Sequence, residues 1–206
     1  MREPLLLRFR CAFLPALVAC SFTLDCKRSA DLGCSFLPAE RPTDTLPHCA
    51  FREPNGDIVV RLESLENAPF GDDGVAVVGI EGALFYVNAK GRTVPALPFE
   101  NGADYFVEGV ARTRVGGKIG FVDATLEVVI SPQWDFAFPF HRGLAVVCNY
   151  CTARPVGEHA EIQGGLWGYI DRNGDVVVPV MFERDELPSV ESVVEAEVSP
   201  HSPEPR

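Results

Sequence analysis

Four segments of the chain share one pattern, and this periodicity constrains the fold more than any other feature. They are "AFREPNGDIVV" (50–60), "FYVNAKGRTVP" (85–95), "GFVDATLEVVI" (120–130) and "GYIDRNGDVVV" (168–178). Phe51, Tyr86, Phe121 and Tyr169 fill one column. Glu53, Asn88, Asp123 and Asp171 fill a second, and Gly56, Gly91, Leu126 and Gly174 a third. An aromatic-led run, a turn and a Val-rich run read as two short antiparallel strands and their connection. A second motif follows each of the first three: "PFGDDGVAVV" (69–78), "YFVEGVARTR" (105–114) and "PFHRGLAVV" (139–147), with Gly74, Gly109 and Gly143 aligned. The first motif recurs at intervals of 35, 35 and 48 residues and the second at 35 and 34, so about 13 residues are inserted after Val147.

Each unit therefore reads as three short strands. One unit cannot bury its apolar face alone, so the copies must stack or close on one another. The expected fold is all-β, about four antiparallel three-stranded β-repeats over residues 50–182, with propeller-like, barrel-like and twisted-array arrangements all compatible. The 206 residues supply the materials: 47% hydrophobic residues with 14 Phe for a core, and 18 Gly and 17 Pro for turns.

The last copy, "GGLWGYIDRNGDVVVPVMFE", resembles the WG-repeat family of bacterial β-repeats, whose signature is Gly-x-Trp-Gly-Tyr/Phe-Ile-Asp, a turn, then Val-Ile-Pro. Trp167, Gly168, Tyr169, Asp171 and Gly174 carry that signature. The third copy, "GGKIGFVDATLEVVISPQWDFAFPFHRGLAVV", keeps the second half of the family pattern. The others depart from the name-giving pair, with Ile119-Gly120, Leu84-Phe85 and Cys49-Ala50 in its place. The resemblance implies a repeat array used as an interaction or envelope module. It brings no catalytic residue with it.

The N-terminus, "MREPLLLRFRCAFLPALVACS", joins Arg8 and Arg10 to an apolar run from Cys11 to Ala19. That run is too short to span a bilayer and fits a secretory signal over residues 1–19. "LVAC" resembles a bacterial lipobox, which makes Cys20 a lipidation candidate; plain cleavage near Ala19 would instead give a soluble periplasmic protein. Export permits disulfides. Residues 20–49 read as a Cys/Pro-rich extension, with Cys26–Cys49 and Cys148–Cys151 as the expected bridges and Cys34 left spare. The "CNYC" pair, Cys148 and Cys151, lies inside the insertion, where a clip would order a long loop. A redox Cys-x-x-Cys calls for a helix N-terminus, whereas this pair follows the strand "GLAVV". Zinc would find Cys148, Cys151 and His159 but no fourth ligand at a standard spacing.

The formal net charge of −11 opposes phosphate backbones and excludes a basic nucleic-acid face. Asp123 and Asp171 share one repeat column, which favours a turn-holding role over a catalytic pair. "DRNGDV" lacks the calcium-loop spacing and its distal Glu. Residues 183–206 read as a mobile acidic tail with a short helix near "SVVEAEV". Trp134 and Trp167 read as core or corner fillers. The expected function is a non-enzymatic binding or scaffolding module of the bacterial cell envelope, with no catalytic residue, metal or cofactor. Its expected partner is another envelope protein or a cell-wall component, not nucleic acid, and it meets the membrane only through a lipid on Cys20. The alternative is a thiol-disulfide or metal-dependent enzyme centred on Cys148 and Cys151.

Overall fold

The computed structural model describes residues 31–37, 45–99, 102–157 and 159–198. The signal segment 1–19, Cys20 and Cys26 lie outside the described residues.

The architecture is almost entirely antiparallel β-sheet, organised as four three-stranded meanders. Repeat 1 is β1 (Asp31–Leu37), β2 (Leu46–Arg52) and β3 (Ile58–Val60). Repeat 2 is β4 (Val75–Ile80), β5 (Ala83–Asn88) and β6 (Thr93–Pro95). A corner hairpin, β7 (Pro98–Phe99) and β8 (Gly102–Ala103), leads to repeat 3: β9 (Val110–Val115), β10 (Lys118–Asp123) and β11 (Val128–Trp134). After β12 (Phe136–Ala137), repeat 4 is β13 (Ala145–Val156), β14 (His159–Ile170) and β15 (Val176–Phe182). One helix, α1 (Val190–Val198), follows.

The sheets start each repeat one strand earlier than the sequence pattern does. The Gly-Val-Ala strand pairs with the aromatic strand that comes after it, because two-residue turns join them. Glu81 and Gly82 take φ of 51° and 80°, and Gly116 and Gly117 take 59° and 80°. These left-handed pairs match the twist of a tight hairpin. Repeats 1 and 2 are joined by β1 against β4, giving the strand order β3-β2-β1-β4-β5-β6. The two outer strands then meet: Val59 bridges Arg92, and the Val60 amide donates to the Gly91 carbonyl at 2.8 Å. The result is a nearly closed barrel around Leu32, Phe36, Val60, Val78 and Val87.

Residues 31–49 are thus not a separate extension. β1 sits at the centre of the six-stranded sheet, with Leu32, Cys34 and Phe36 facing inward in strict alternation. The division at 49/50 falls inside β2. The expected Cys26–Cys49 bridge is corrected with it: Cys49 is disulfide-bonded to Cys34, across neighbouring strands with a Cα–Cα distance of 5.9 Å. Both cysteines face the core, so Cys34 is not spare. At the other end, residues 190–198 form a docked helix, not a mobile tail. Val190, Val193 and Val194 make a stripe at helical spacing that packs over Leu144, Val146 and Tyr169.

Candidate functional site

The acidic column is turn structure. Asp171 Oδ1 accepts the amides of Asn173 at 2.8 Å and Asp175 at 2.9 Å. Asp123 Oδ1 accepts Thr125 at 2.9 Å and Glu127 at 3.0 Å, and Asn88 Oδ1 accepts Lys90 at 3.0 Å and Arg92 at 3.2 Å. One oxygen thus satisfies two amides that the turn would leave open. Burial pushes the Asp123 carboxyl up, but the Thr125 hydroxyl, the Glu127 and Thr125 amides and nearby Arg92 outweigh it and hold the group below the ordinary aspartate range. Gly174 and its column mates take positive φ; Leu126 does so at 65° without glycine's freedom, and its fully buried side chain offsets the strain.

The signature pair has separate tasks. Trp167 is fully buried, donates from Nε1 to the Gly164 carbonyl at 3.0 Å, and carries the Arg184 guanidinium 4.3 Å from a ring centroid. Gly168 leaves room for the third strand: a Cβ there would lie 2.5 Å from the Val178 carbonyl oxygen and 2.9 Å from Pro179 C. Gly120 stands likewise against Ile130 and Pro132. In both repeats the pairing shifts register beside that glycine. Repeats 1 and 2, with Ala50 and Phe85 in its place, pair without a shift. The Tyr169 hydroxyl donates to the Pro188 carbonyl at 2.9 Å, and burial raises its pKa.

The insertion forms the feature unique to repeat 4. β13 and β14 pair from Ala145↔Ile170 out to Val156↔His159. The neighbouring strands stop early: β12 reaches only Cys148, and β15 only Trp167. Beyond that point the hairpin is a two-stranded arm, and Thr152 to Val156 are all exposed. A two-stranded ribbon alone is marginal in water, so its base is reinforced. Cys148 and Cys151 are disulfide-bonded as expected, with a Cα–Cα distance of 6.2 Å. Between them Tyr150 takes a φ of 62° opposite Gly165 at 78°, beside Gly164 at 66°, and the ladder skips this one pair without changing register. Gly165 is obligatory: a Cβ there would meet Cys148 Sγ at 2.5 Å. The Tyr150 amide donates to Asp135 Oδ2 at 2.7 Å, and Lys118 Nζ donates to Asp135 Oδ1 at 2.6 Å. The Lys118 bond and then the Tyr150 amide hold the Asp135 carboxyl below its usual range. Tyr150 itself is 81% exposed.

Cys148 is completely buried on a strand against Trp167, and is not itself at a helix N-terminus of the kind that activates a redox thiol. The described residues contain no cluster of three or more His, Cys, Asp or Glu side chains placed to hold a metal ion. Sequence reasoning missed Asp135 and Tyr150, and also a buried joint between repeats. Arg112 donates from Nε and Nη2 to Asp104 at 2.7 and 2.9 Å, and from Nη1 to the Ala137 carbonyl at 2.8 Å. The visible signal was Arg112 itself, a charge in a column filled by Val77 and Val146 elsewhere.

Four meanders built on one turn column, two of them with a glycine that admits a bulged third strand, define an antiparallel β-repeat protein. The family described as WG containing repeat matches residues 119–150 and 167–184, so the chain carries WG-type repeats in its third and fourth units. No curated protein and no solved structure shows significant similarity to it.

Proposed function

We propose that this chain is a non-enzymatic binding or scaffolding module of the bacterial cell envelope, with the β13–β14 arm as its main contact element. The arm carries this reading: the repeats account for the body of the fold, and the arm is an addition that one repeat holds out rigidly. Among the described residues, no third strand pairs with either of its edges beyond Cys148 and Trp167. Such edges suit strand addition by an extended segment. Pro155 lacks an amide hydrogen, which favours the β14 edge. Tyr150, Val156 and Leu166 supply exposed apolar contacts beside it. The partner class is another envelope protein or a cell-wall component. The export segment supports an envelope location, with Cys20 as the lipid site if the chain is tethered.

The test compares the intact chain with a variant whose arm is cut back to a two-residue turn just beyond the clip. Both serve as bait on envelope extract and on purified cell wall. Retention by the intact chain alone is the expected outcome. Equal retention by both baits, or none above a scrambled-repeat control, contradicts the reading. Mass spectrometry of the mature N-terminus, with and without globomycin, separates the lipidated form from the soluble one.

A further inference from the structure

The Cys148–Cys151 bridge joins two residues of one strand. Along an unbroken strand, residues three apart face opposite sides. Cys148 and Trp167 would then share a face with Thr152 and Gln163, and Cys151 and Ile162 would turn away. The structure has the other arrangement. Cys148, Cys151 and Trp167 form one buried cluster, and Ile162 packs against it. The ladder keeps its count across this point, with Asn149↔Leu166 followed by Cys151↔Gly164. The change of side is therefore made by the backbone. Tyr150 on β13 and Gly164 and Gly165 on β14 take φ of 62°, 66° and 78°. By alternation from Cys151 and Ile162, Ala153, Pro155 and Ala160 lie on the Trp167 side of the arm. Thr152, Arg154, Glu161 and Gln163 lie on the other.

The two halves of this hinge differ in what holds them. Gly164 and Gly165 accept left-handed and extended backbone alike. Tyr150 does not, because a bulky residue at positive φ is strained. Leu126, at 65°, is compensated by a fully buried side chain, whereas Tyr150 is 81% exposed and gains nothing of that kind. Two features keep Tyr150 left-handed. One is the bridge that spans it, and the other is the Asp135 carboxylate, which accepts its amide at 2.7 Å. The strain at Tyr150 is opposed by the packing of Ile162 against Trp167 and the cysteines. The covalent link decides between the two.

We propose that the Cys148–Cys151 disulfide is a redox latch that sets which face of the arm lies on the Trp167 side. Once it is reduced, Tyr150 returns to extended backbone and the strands run on without the change of side. Every side chain beyond the hinge then moves to the opposite face. Thr152, Arg154, Glu161 and Gln163 take the side that Ala153, Pro155, Ala160 and Ile162 held. The co-reactant is a dithiol reductant. Its thiolate attacks Sγ of Cys151, the less buried of the two residues, and forms a mixed disulfide. Cys148 leaves as a thiolate and takes up a proton. The second thiol of the reductant then displaces Cys151, which is protonated in turn. The bridge gains two electrons and two protons, and the reductant departs as a disulfide. The Cys34–Cys49 bridge has no such part, since both its cysteines lie inside the barrel. The latch rests on the proposed binding role only for its consequence, that a partner of the arm meets one face or the other.

The experiment titrates the full chain with dithiothreitol, alkylates the free thiols and maps them by mass spectrometry. Cys148 and Cys151 should be labelled at a dithiol concentration roughly tenfold below that needed for Cys34 and Cys49. Nuclear Overhauser contacts between Ile162 and the Trp167 ring should disappear in the same step. Contacts from Gln163 to that ring should replace them, and reoxidation should restore the first set. Cys148→Ser with Cys151→Ser should show the reduced pattern without any reductant. Tyr150→Gly relieves the strain, so this variant should keep the Ile162 contact when reduced. A bridge that opens only together with Cys34–Cys49 overturns the latch. So does a reduced arm that keeps Ile162 on Trp167, or one that loses it and gains no contact from the other face. A Tyr150→Gly variant that changes face as the parent does also overturns it. Equal loss of partner retention in both redox states would strike the binding role and leave these measurements untouched.

Discussion

The two ends of this repeat array are finished by different means. At the N-terminal end, repeats 1 and 2 share one sheet, and its outer strands β3 and β6 meet across a bridge that nearly closes a barrel. The buried Cys34–Cys49 disulfide ties β1 to β2 inside it. At the C-terminal end β15 pairs with β14 alone, and a helix of 9 residues covers the last face. Strand closure satisfies backbone and apolar groups together, whereas helix docking relies on a few apolar side chains and leaves an open groove beside β15. A repeat protein can thus be rigid at one terminus and openable at the other.

The largest expected effect lies at the joint between the two regions. Replacing Asp104 with Ala leaves the Arg112 guanidinium buried without its carboxylate, at a cost of roughly 3–5 kcal/mol. If the joint couples the ends, chemical denaturation of this variant shows both halves weakened in one transition. A separate early transition of the C-terminal half would show that the ends are independent.

The two disulfides come next. Cys34 and Cys49 are 15 residues apart, and Cys148 and Cys151 only 3. In the chain-entropy account the loops are worth about 3 and about 2 kcal/mol. Replacing Cys34 and Cys49 by Ala should therefore lower the global midpoint more. Replacing Cys148 and Cys151 should chiefly raise proteolysis within the arm. The reverse order would contradict the contrast between the ends.

The turn column should behave alike at both ends. Asp171→Ala strips two amides of their acceptor and should cost about 1 kcal/mol. Asp171→Asn should stay within about 0.5 kcal/mol of the parent, since Asn88 performs this task in repeat 2. The smallest effect is a pH dependence. Asp123 and Asp135 are held below the ordinary aspartate range in the fold. Their contribution is complete above the unfolded-state pKa and is lost as pH falls through the lower folded-state values. Thermal scans should show a plateau near neutrality and a modest acid decline. Both groups lie near the surface, so solvent screening keeps the decline small.

The repeat columns, the turn role of Asp171 and the Cys148–Cys151 clip were legible because each is a local pattern with a physical signature. β1 was legible in principle. Leu32, Cys34 and Phe36 alternate, but the strand lacks the Gly-Val-Ala motif that marks its counterparts, so Cys34 was placed outside the sheet. The helix near "SVVEAEV" is legible in the sequence, but its docking is not, because the segment is acidic and short and only the apolar face beneath it explains its order. The Asp104–Arg112 joint joins a corner to a strand, and no periodicity reports such a pairing. The arm is legible as an insertion, but its full-length pairing includes a positive φ at Tyr150, a residue type that seldom takes one.

Hydrogen exchange followed by mass spectrometry on the intact chain tests the contrast most directly. Amides of β4, β5 and β10 should exchange only with global unfolding. Those of α1 should exchange orders of magnitude faster, through local opening that leaves β13 to β15 protected. If α1 is protected as strongly as β4 and β5, the C-terminal end is closed as firmly as the barrel, and the contrast between the two ends is wrong.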